Sequence, residues 1–303
     1  MGDLEKITIE RMKLAANTSE KFYGKPLAIC YSGGKDSEII LELAIRAGIN
    51  FEAVNNHTTA DAPETVRHIR KRFYQLEQNG KKAVIRYPIY KGASTSMWNL
   101  IPQKKLPPTR TVRYCCQVLK ETFGPGRAIC TGVRSSESAR RAGRAFFEKP
   151  GETRKKVYGL NVDDAAQVFD EIGDRKMLEH CYQKRKAVFN PIIDWSNSDV
   201  WEYITAEKLD INPLYMEGWA RVGCIGCPLA GKTRLKEFIR WPKYKDLYMC
   251  AFRKLIANIQ QDTERAQKEI YKSAEHLFRW WMEDDTINGQ LKMTDDGIIE
   301  ERW

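Results

Sequence analysis

Ala28-Ile29-Cys30-Tyr31-Ser32-Gly33-Gly34-Lys35-Asp36-Ser37 runs from an apolar stretch through two glycines into an amphipathic segment. Residues 26–31 read as a short buried strand, and residues 38–47 as a helix closed by Gly48. Gly33 and Gly34 carry no Cβ to hold the backbone away from a bound group, and a helix begins with amides that have no partner inside it. Lys35 adds a cation, and Ser32 and Ser37 add hydroxyls. The result is an anion cradle, and a nucleotide phosphate suits it best. It is not a Walker loop. That pattern requires glycine five places before Gly34 and Ser or Thr after Lys35, where this chain has Ile29 and Asp36.

The flanking sequence places this loop in an α/β frame. A first helix is predicted over residues 4–23, and further strands over 50–58, 83–90, 127–134 and 187–193. Helices are predicted over 63–78, opened by Pro63 and stopped before Asn79-Gly80, and over 198–208. Strands alternating with helices predict a doubly wound, mainly parallel sheet, in which ligands lie beyond the carboxyl ends of the strands. Residues 32–37, 56–59 and 132–136 are expected to gather there. Residues 97–114 and 143–158 read as long loops. From Thr233 the pattern becomes helical, with helices predicted over 244–259 and 265–282. The division expected is a nucleotide-binding α/β domain over 1–230 and a helical region over 231–303.

The 303 residues suffice for a full core, and no apolar run approaches a membrane span. Residues 1–13 are charged throughout, so no secretory signal is read there, and a cytoplasmic location is expected. Net charge is +10 and unevenly placed. Residues 104–158 hold 14 Lys and Arg against 4 Glu, and residues 231–255 hold 8 against 2 acids. Residues 256–303 reverse the balance, with 11 acids against 6 bases. Basic surface concentrated in two places suggests a polyanionic partner, nucleic acid above all; a merely solvated basic face is the alternative. The run 238–245 mixes bases with aromatics, as single-strand binders do, although its aromatics suit a core slightly better.

Eight cysteines in a reducing compartment are thiols or metal ligands before they are disulfides. Cys115-Cys116 and Cys224-Ile225-Gly226-Cys227 can bring four thiolates to one point. Four soft ligands suit an iron–sulfur cluster or Zn²⁺. A redox dithiol at Cys224 and Cys227, or a buried apolar thiol at Cys116, are the competing readings. Arg134, beside Gly132 at a strand end, is a candidate phosphate ligand. Arg140, Arg141 and Arg144 read as a general basic face. His57 is a possible pocket residue, and His68, His180 and His276 show no ligand spacing.

Ser32-Gly33-Gly34-Lys35-Asp36-Ser37 resembles the PP-loop of the ATP pyrophosphatase superfamily, with its adenine nucleotide alpha-hydrolase-like fold. Over about residues 25–230 the chain resembles the phosphoadenosine phosphosulfate reductase family. The resemblance rests on several motifs in order: Pro63-Glu64-Thr65, Tyr114-Cys115-Cys116-Gln117-Val118-Leu119-Lys120 and Thr131-Gly132-Val133-Arg134-Ser135-Ser136-Glu137-Ser138-Ala139-Arg140. Asn190-Pro191-Ile192-Ile193-Asp194-Trp195, Asp199-Val200-Trp201, Asn212-Pro213-Leu214-Tyr215 and Gly223-Cys224-Ile225-Gly226-Cys227-Pro228 follow. The resemblance implies a [4Fe–4S] cluster on Cys115, Cys116, Cys224 and Cys227, with Zn²⁺ as the lesser occupant. It also implies a nucleotide held by Ser32, Gly33, Gly34, Lys35, Asp36, Ser37, Thr58, Gly132 and Arg134.

Two departures bear on activity. Reductases of the family carry a nucleophilic cysteine in a Glu-Cys-Gly-Leu-His tail, whereas no cysteine follows Cys250 here and the sequence closes on Gly297-Ile298-Ile299-Glu300-Glu301-Arg302-Trp303. The family's usual Asp-Thr-Gly after the second strand is His57-Thr58-Thr59. Loop and cluster cysteines without that tail look more like the sulfur-insertion components of DNA phosphorothioation systems. The expected function is therefore AMP-forming ATP pyrophosphatase chemistry on a nucleic-acid backbone, DNA first. Lys35 and Asp36 would be its catalytic residues, ATP with Mg²⁺ its cofactor, and a cysteine desulfurase or another donor its sulfur source. A sulfonucleotide reductase using Cys250 or Cys181 is the alternative, and a nucleotide-gated nucleic-acid-binding module a further one.

Overall fold

The structure, a computed structural model, describes residues 2–137, 141–148, 186–261, 273–283, 292–293 and 299–300. The chain divides into two compact units. The first comprises Met1–Asn56, Pro63–Arg86 and Thr122–Val222, and the second His57–Ala62, Tyr87–Glu121 and Gly223–Trp303.

The first unit is built on a six-stranded sheet. Its strands are β1 (Leu27–Cys30), β2 (Phe51–Asn56), β3 (Lys82–Arg86), β4 (Ala128–Cys130), β5 (Phe147–Glu148) and β6 (Ala187–Phe189). Their spatial order is β3-β2-β1-β4-β6-β5. The pairings β1–β2, β2–β3, β1–β4 and β4–β6 are parallel, with Leu27 opposite Phe51 and Ala28 opposite Ile129. Among the described strands of this sheet, β5 at the edge alone runs antiparallel. β1, β2, β4 and β6 are almost wholly buried along their length. A parallel sheet covered on both faces requires such continuous apolar runs.

Helices α1 (Gly2–Tyr23), α2 (Lys35–Arg46) and α3 (Pro63–Gln78) cover the sheet. α1 buries Met12, Ala15 and Ala16, and its Thr8 hydroxyl accepts from the indole of fully buried Trp195 at 3.1 Å. α3 has the predicted bounds, while α2 begins three residues before the predicted start, at Lys35 itself. The strands are shorter than predicted. Residues beyond β4 and β6 turn away as loops, in which Ser135 N donates to Ile193 O and Ile193 N to Asn190 O. The predicted third strand stops at Arg86, and Ile89–Tyr90 pairs instead with Ala93–Ser94 as a separate hairpin.

In the second unit the predicted loop 97–114 contains a helix, Met97–Lys104, and a second begins at Tyr114. The Ser96 hydroxyl accepts from Asn99 N, capping the first helix, and Met97, Leu100 and Ile101 are buried. Pro102 lies inside this helix, which is capped at Lys105 in the left-handed region. The C-terminal helices Thr233–Arg240, Pro242–Gln260 and Ala274–Glu283 bury Phe238, Tyr248, Phe252 and Trp281 against one another. Buried Arg234 donates to the carbonyls of Trp281 (2.7 Å) and Met282 (3.1 Å), which close the last of these helices. In the run 238–245, Phe238 and Trp241 are core, as favoured, while Ile239 is exposed. Residues 262–272, covering part of the helix predicted over 265–282, lie outside the described residues, as do 149–185 with Cys181. Among the described residues no helix is long and apolar enough to cross a membrane.

Candidate functional site

The order of the sheet reverses between β1 and β4, because β2 and β3 lie on one side of β1 and β4 and β6 on the other. At such a point the loops leaving two neighbouring parallel strands diverge and open a crevice at their carboxyl ends. The loop after β1 is Tyr31-Ser32-Gly33-Gly34, and the loop after β4 carries Gly132 and Arg134.

Gly33 has φ +75°, and a Cβ there would lie 2.9 Å from Ile69 Cγ1, so no other residue fits this turn. Gly34 is extended and offers no side-chain cap to α2. Ser37 Oγ donates to Gly34 O at 2.7 Å and accepts from Ser32 N at 3.2 Å, which closes the loop on itself. Among the described residues the amides of Asp36 and Ser37 have no protein acceptor. They stand at the positive end of the helix dipole.

Above them lies an ion triad. Lys35 Nζ reaches Asp36 Oδ2 at 3.1 Å, and Arg134 Nε donates to Asp36 Oδ1 at 2.7 Å. Arg134 is only 3% exposed, and its guanidinium also reaches Ser136 Oγ at 3.1 Å and Trp195 O at 3.4 Å. A Cβ on Gly132 would fall 2.9 Å from the Asp36 carbonyl carbon, so the two loops can close only over a glycine. The triad sets two cations against one carboxylate beside free amides, an arrangement that favours a bound anion.

The structure thus brings Ser32, Gly33, Gly34, Lys35, Asp36, Ser37, Gly132 and Arg134 together in the first unit. Thr58 belongs to the second unit, where its hydroxyl accepts from Ala60 N at 3.2 Å and stands 3.4 Å from Cys224 Sγ. Arg141 pairs with Glu137, and Arg140 lies outside the described residues. His57 packs edge-on against Tyr87.

Sequence reasoning missed a buried polar network beneath the loop. The Glu38 carboxylate accepts from Tyr31 Oη at 2.5 Å and from Arg72 Nε at 2.7 Å, and the Tyr31 oxygen lies 3.0 Å from His68 Nε2. Burial and the Glu38 charge hold the Tyr31 phenol well above its ordinary pKa. His68, to which spacing assigned nothing, is a member of this network. Asn212 and Tyr215 were also missed as loop residues. Asn212 donates to Gly33 O (3.2 Å) and Thr65 Oγ1 (3.0 Å), and Tyr215 Oη accepts from Lys35 N at 3.1 Å. Their signal in the sequence is the Asn212-Pro213-Leu214-Tyr215 motif, which carries the family resemblance but no local pattern that points to the loop.

All four cluster candidates lie in the second unit. Among the described residues no three His, Cys, Asp or Glu side chains are close enough to hold a metal ion. The four sulfurs are nevertheless near enough for Cys116, Cys224 and Cys227 each to raise the Cys115 pKa, with the hydrogen bond to Cys116 the largest cause. That bond from Cys115 pulls Cys116 down to about 5; burial opposes it, and the Arg113 guanidinium 3.2 Å away assists. Burial pushes Cys224 up to about 11. Four cysteine side chains in one unit are soft donors of the kind that a thiolate-bound cluster or Zn²⁺ takes.

Residues 26–230 match the phosphoadenosine phosphosulfate reductase domain. Two uncharacterised proteins of Methanocaldococcus jannaschii are each 25% identical, one over 76% of this chain and 43% of its own length, the other over 84% and 53%. The chain therefore spans about half the length of these curated relatives. Adenosine 5'-phosphosulfate reductase of Lysinibacillus sphaericus is 22% identical over 68% of this chain and 74% of its own. Among solved structures, phosphoadenylyl-sulfate reductase from Candida auris has a TM-score of 0.41 at 16% identity, covering 66% of this chain and 82% of that one. The U34-tRNA thiolase of Methanococcus maripaludis, with its [4Fe-4S] cluster, scores 0.38 at 14%, covering 86% and 80%.

Proposed function

The chain belongs to the phosphoadenosine phosphosulfate reductase domain family, and on that premise we propose an AMP-forming ATP pyrophosphatase that activates a nucleic-acid backbone, DNA first, for sulfur incorporation. The observation that supports this reading is the triad Lys35–Asp36–Arg134 beside the uncapped N-terminus of α2, at the reversal point of the sheet.

In this reading a backbone phosphate oxygen attacks the α-phosphorus of ATP, and the bond to pyrophosphate breaks. A sulfur nucleophile at the sulfide level then attacks the backbone phosphorus, and AMP leaves with the oxygen. Lys35 and Arg134 offset the charge that builds on departing pyrophosphate, and Asp36 fixes the position of both cations. Mg²⁺ is expected on the phosphates. Cys115, Cys116, Cys224 and Cys227 are the residues that would hold a [4Fe–4S] cluster, with Zn²⁺ as the alternative, and such a group would supply a sulfur-ligated metal centre. The basic stretches 104–158 and 231–255 would grip phosphates. A cysteine desulfurase or another donor would supply the sulfur.

The names of several relatives favour a second reading, reduction of adenylyl sulfate to sulfite. That reaction needs an accessible thiol near sulfur. Cys250 on Pro242–Gln260 is exposed, whereas burial raises the Cys30 thiol to about 11 and Cys130 well above its usual value. The two readings separate on products. Anaerobic protein given ATP with Mg²⁺ and DNA should form AMP and pyrophosphate, and given adenylyl sulfate with a thiol donor should release no sulfite. Sulfite release without ATP turnover would replace the first reading with the second.

A further inference from the structure

Asn212-Pro213-Leu214-Tyr215 forms a short helical turn that the chemistry above leaves unused. Its geometry places it at the glycine loop. Asn212 is 1% exposed; its amide group donates to Gly33 O and Thr65 Oγ1, and its Oδ1 accepts from Leu214 N at 3.1 Å. Both ends of this side chain are therefore committed, and they lock the turn onto the backbone of the loop. The Tyr215 ring stands edge-on to Trp201, with centroids 5.6 Å apart and planes at 86°.

Held this way, Tyr215 Oη accepts the Lys35 amide at 3.1 Å and lies 3.4 Å from where a Cβ on Gly34 would sit. A phenol has one proton to donate as well as lone pairs to accept with. Among the described residues that proton has no acceptor. Burial raises the phenol to about 12, so the proton is retained at neutral pH. A hydroxyl that is anchored through its oxygen, with its proton unspent beside the free amides of Asp36 and Ser37, is a donor awaiting an acceptor.

We propose that Tyr215 is an anion-binding residue of the loop, which donates its hydroxyl proton to an oxygen of the bound phosphate chain while the Lys35 amide fixes its position. This rests on the nucleotide reading of the site and adds to it a recognition group outside the glycine loop. The ligand class is a polyphosphate, either the phosphate chain of ATP or pyrophosphate itself. Tyr215 does not act as a plug that the phosphate must expel. Asn212 ties its turn to the loop, and the Asp36 and Ser37 amides remain available.

Calorimetric titration of the full chain with inorganic pyrophosphate, ATP and adenosine, all with Mg²⁺, tests this. Tyr215→Phe keeps the ring on Trp201 and removes only the hydroxyl. Loss of a hydrogen bond to a charged acceptor should weaken pyrophosphate and ATP by about tenfold or more and leave adenosine unchanged. Unchanged or tighter pyrophosphate binding would overturn the inference, and tighter binding would identify a plug. Equal losses for all three ligands would show a structural role only and overturn it too. Difluorotyrosine at position 215 retains the hydroxyl and lowers its pKa. Pyrophosphate affinity should then fall as pH rises through that pKa, because a phenolate cannot donate and repels the ligand; a flat profile contradicts the proposal. Wild-type protein that binds neither ATP nor pyrophosphate would refute the nucleotide reading itself, a result distinct from an unaltered Phe variant.

Discussion

Gly132 and Asp36 meet backbone to backbone, and this contact joins the two halves of the site. A methyl group at 132 would press on the Asp36 carbonyl carbon at 2.9 Å, where no flexible side chain can give way. Gly132→Ala should destabilise the first unit by about 1–3 kcal/mol and cut ATP turnover more than it lowers the melting temperature, since it parts the loops that carry Lys35 and Arg134. Denaturant titration beside an AMP assay checks this, and normal turnover in Gly132→Ala would contradict it. Arg134 reaches Asp36 through Nε and both Ser136 and the Trp195 carbonyl through one terminal nitrogen. A lysine cannot reproduce that fork. Arg134→Lys should therefore lower kcat about a hundredfold, a loss of the size seen when one preorganised transition-state donor is removed. A steady-state comparison with wild type is the check. These residues were legible in the sequence because glycine, lysine and arginine at a strand–turn–helix junction have few other uses. Tyr215 was not, since one tyrosine far along the chain reaches the loop only through the tertiary fold.

At the scale of elements, α2 carries the site at its first turn and is fixed by polar contacts as well as apolar ones. Glu38, 2% exposed, joins α2 to the loop after β1 through Tyr31 and to α3 through Arg72 and His68. Removing a buried charge partner strands the others. Glu38→Ala should cost about 3–5 kcal/mol in urea or guanidinium unfolding, more than the loss of a surface ion pair. A change below about 1 kcal/mol would show that the network contributes nothing net. The bounds of α3 were legible because Pro63 and Asn79-Gly80 punctuate it. The helix Met97–Lys104 was not, because Pro102 sits inside it while the Ser96 cap and three buried apolar residues outweigh the break. The strands were predicted too long because apolar residues continue past Cys130 and Phe189 into turns.

On the scale of the whole molecule, the chain contributes to its two units in alternating segments, with the glycine loop in the first and the four cluster candidates in the second. A linear reading of charge and period cannot show such interleaving, because no composition shift marks Asn56, Arg86 or Glu121. Charge distribution, by contrast, is legible directly. If residues 104–158 and 231–255 grip a phosphate backbone, the logarithm of the DNA affinity should fall linearly with the logarithm of salt concentration, by about 0.9 per phosphate contacted. Fluorescence anisotropy between low and moderate salt measures the slope. A slope near zero would mark these stretches as solvated surface. The central claim, that the loop at the sheet's reversal point splits ATP between its α- and β-phosphates, is tested most directly with ATP labelled at the α-phosphate, incubated anaerobically with Mg²⁺ and duplex or single-stranded DNA. Labelled AMP should rise with DNA and fall by at least about a hundredfold in Lys35→Ala. Labelled ADP, or AMP formed as fast by Lys35→Ala as by wild type, would contradict it.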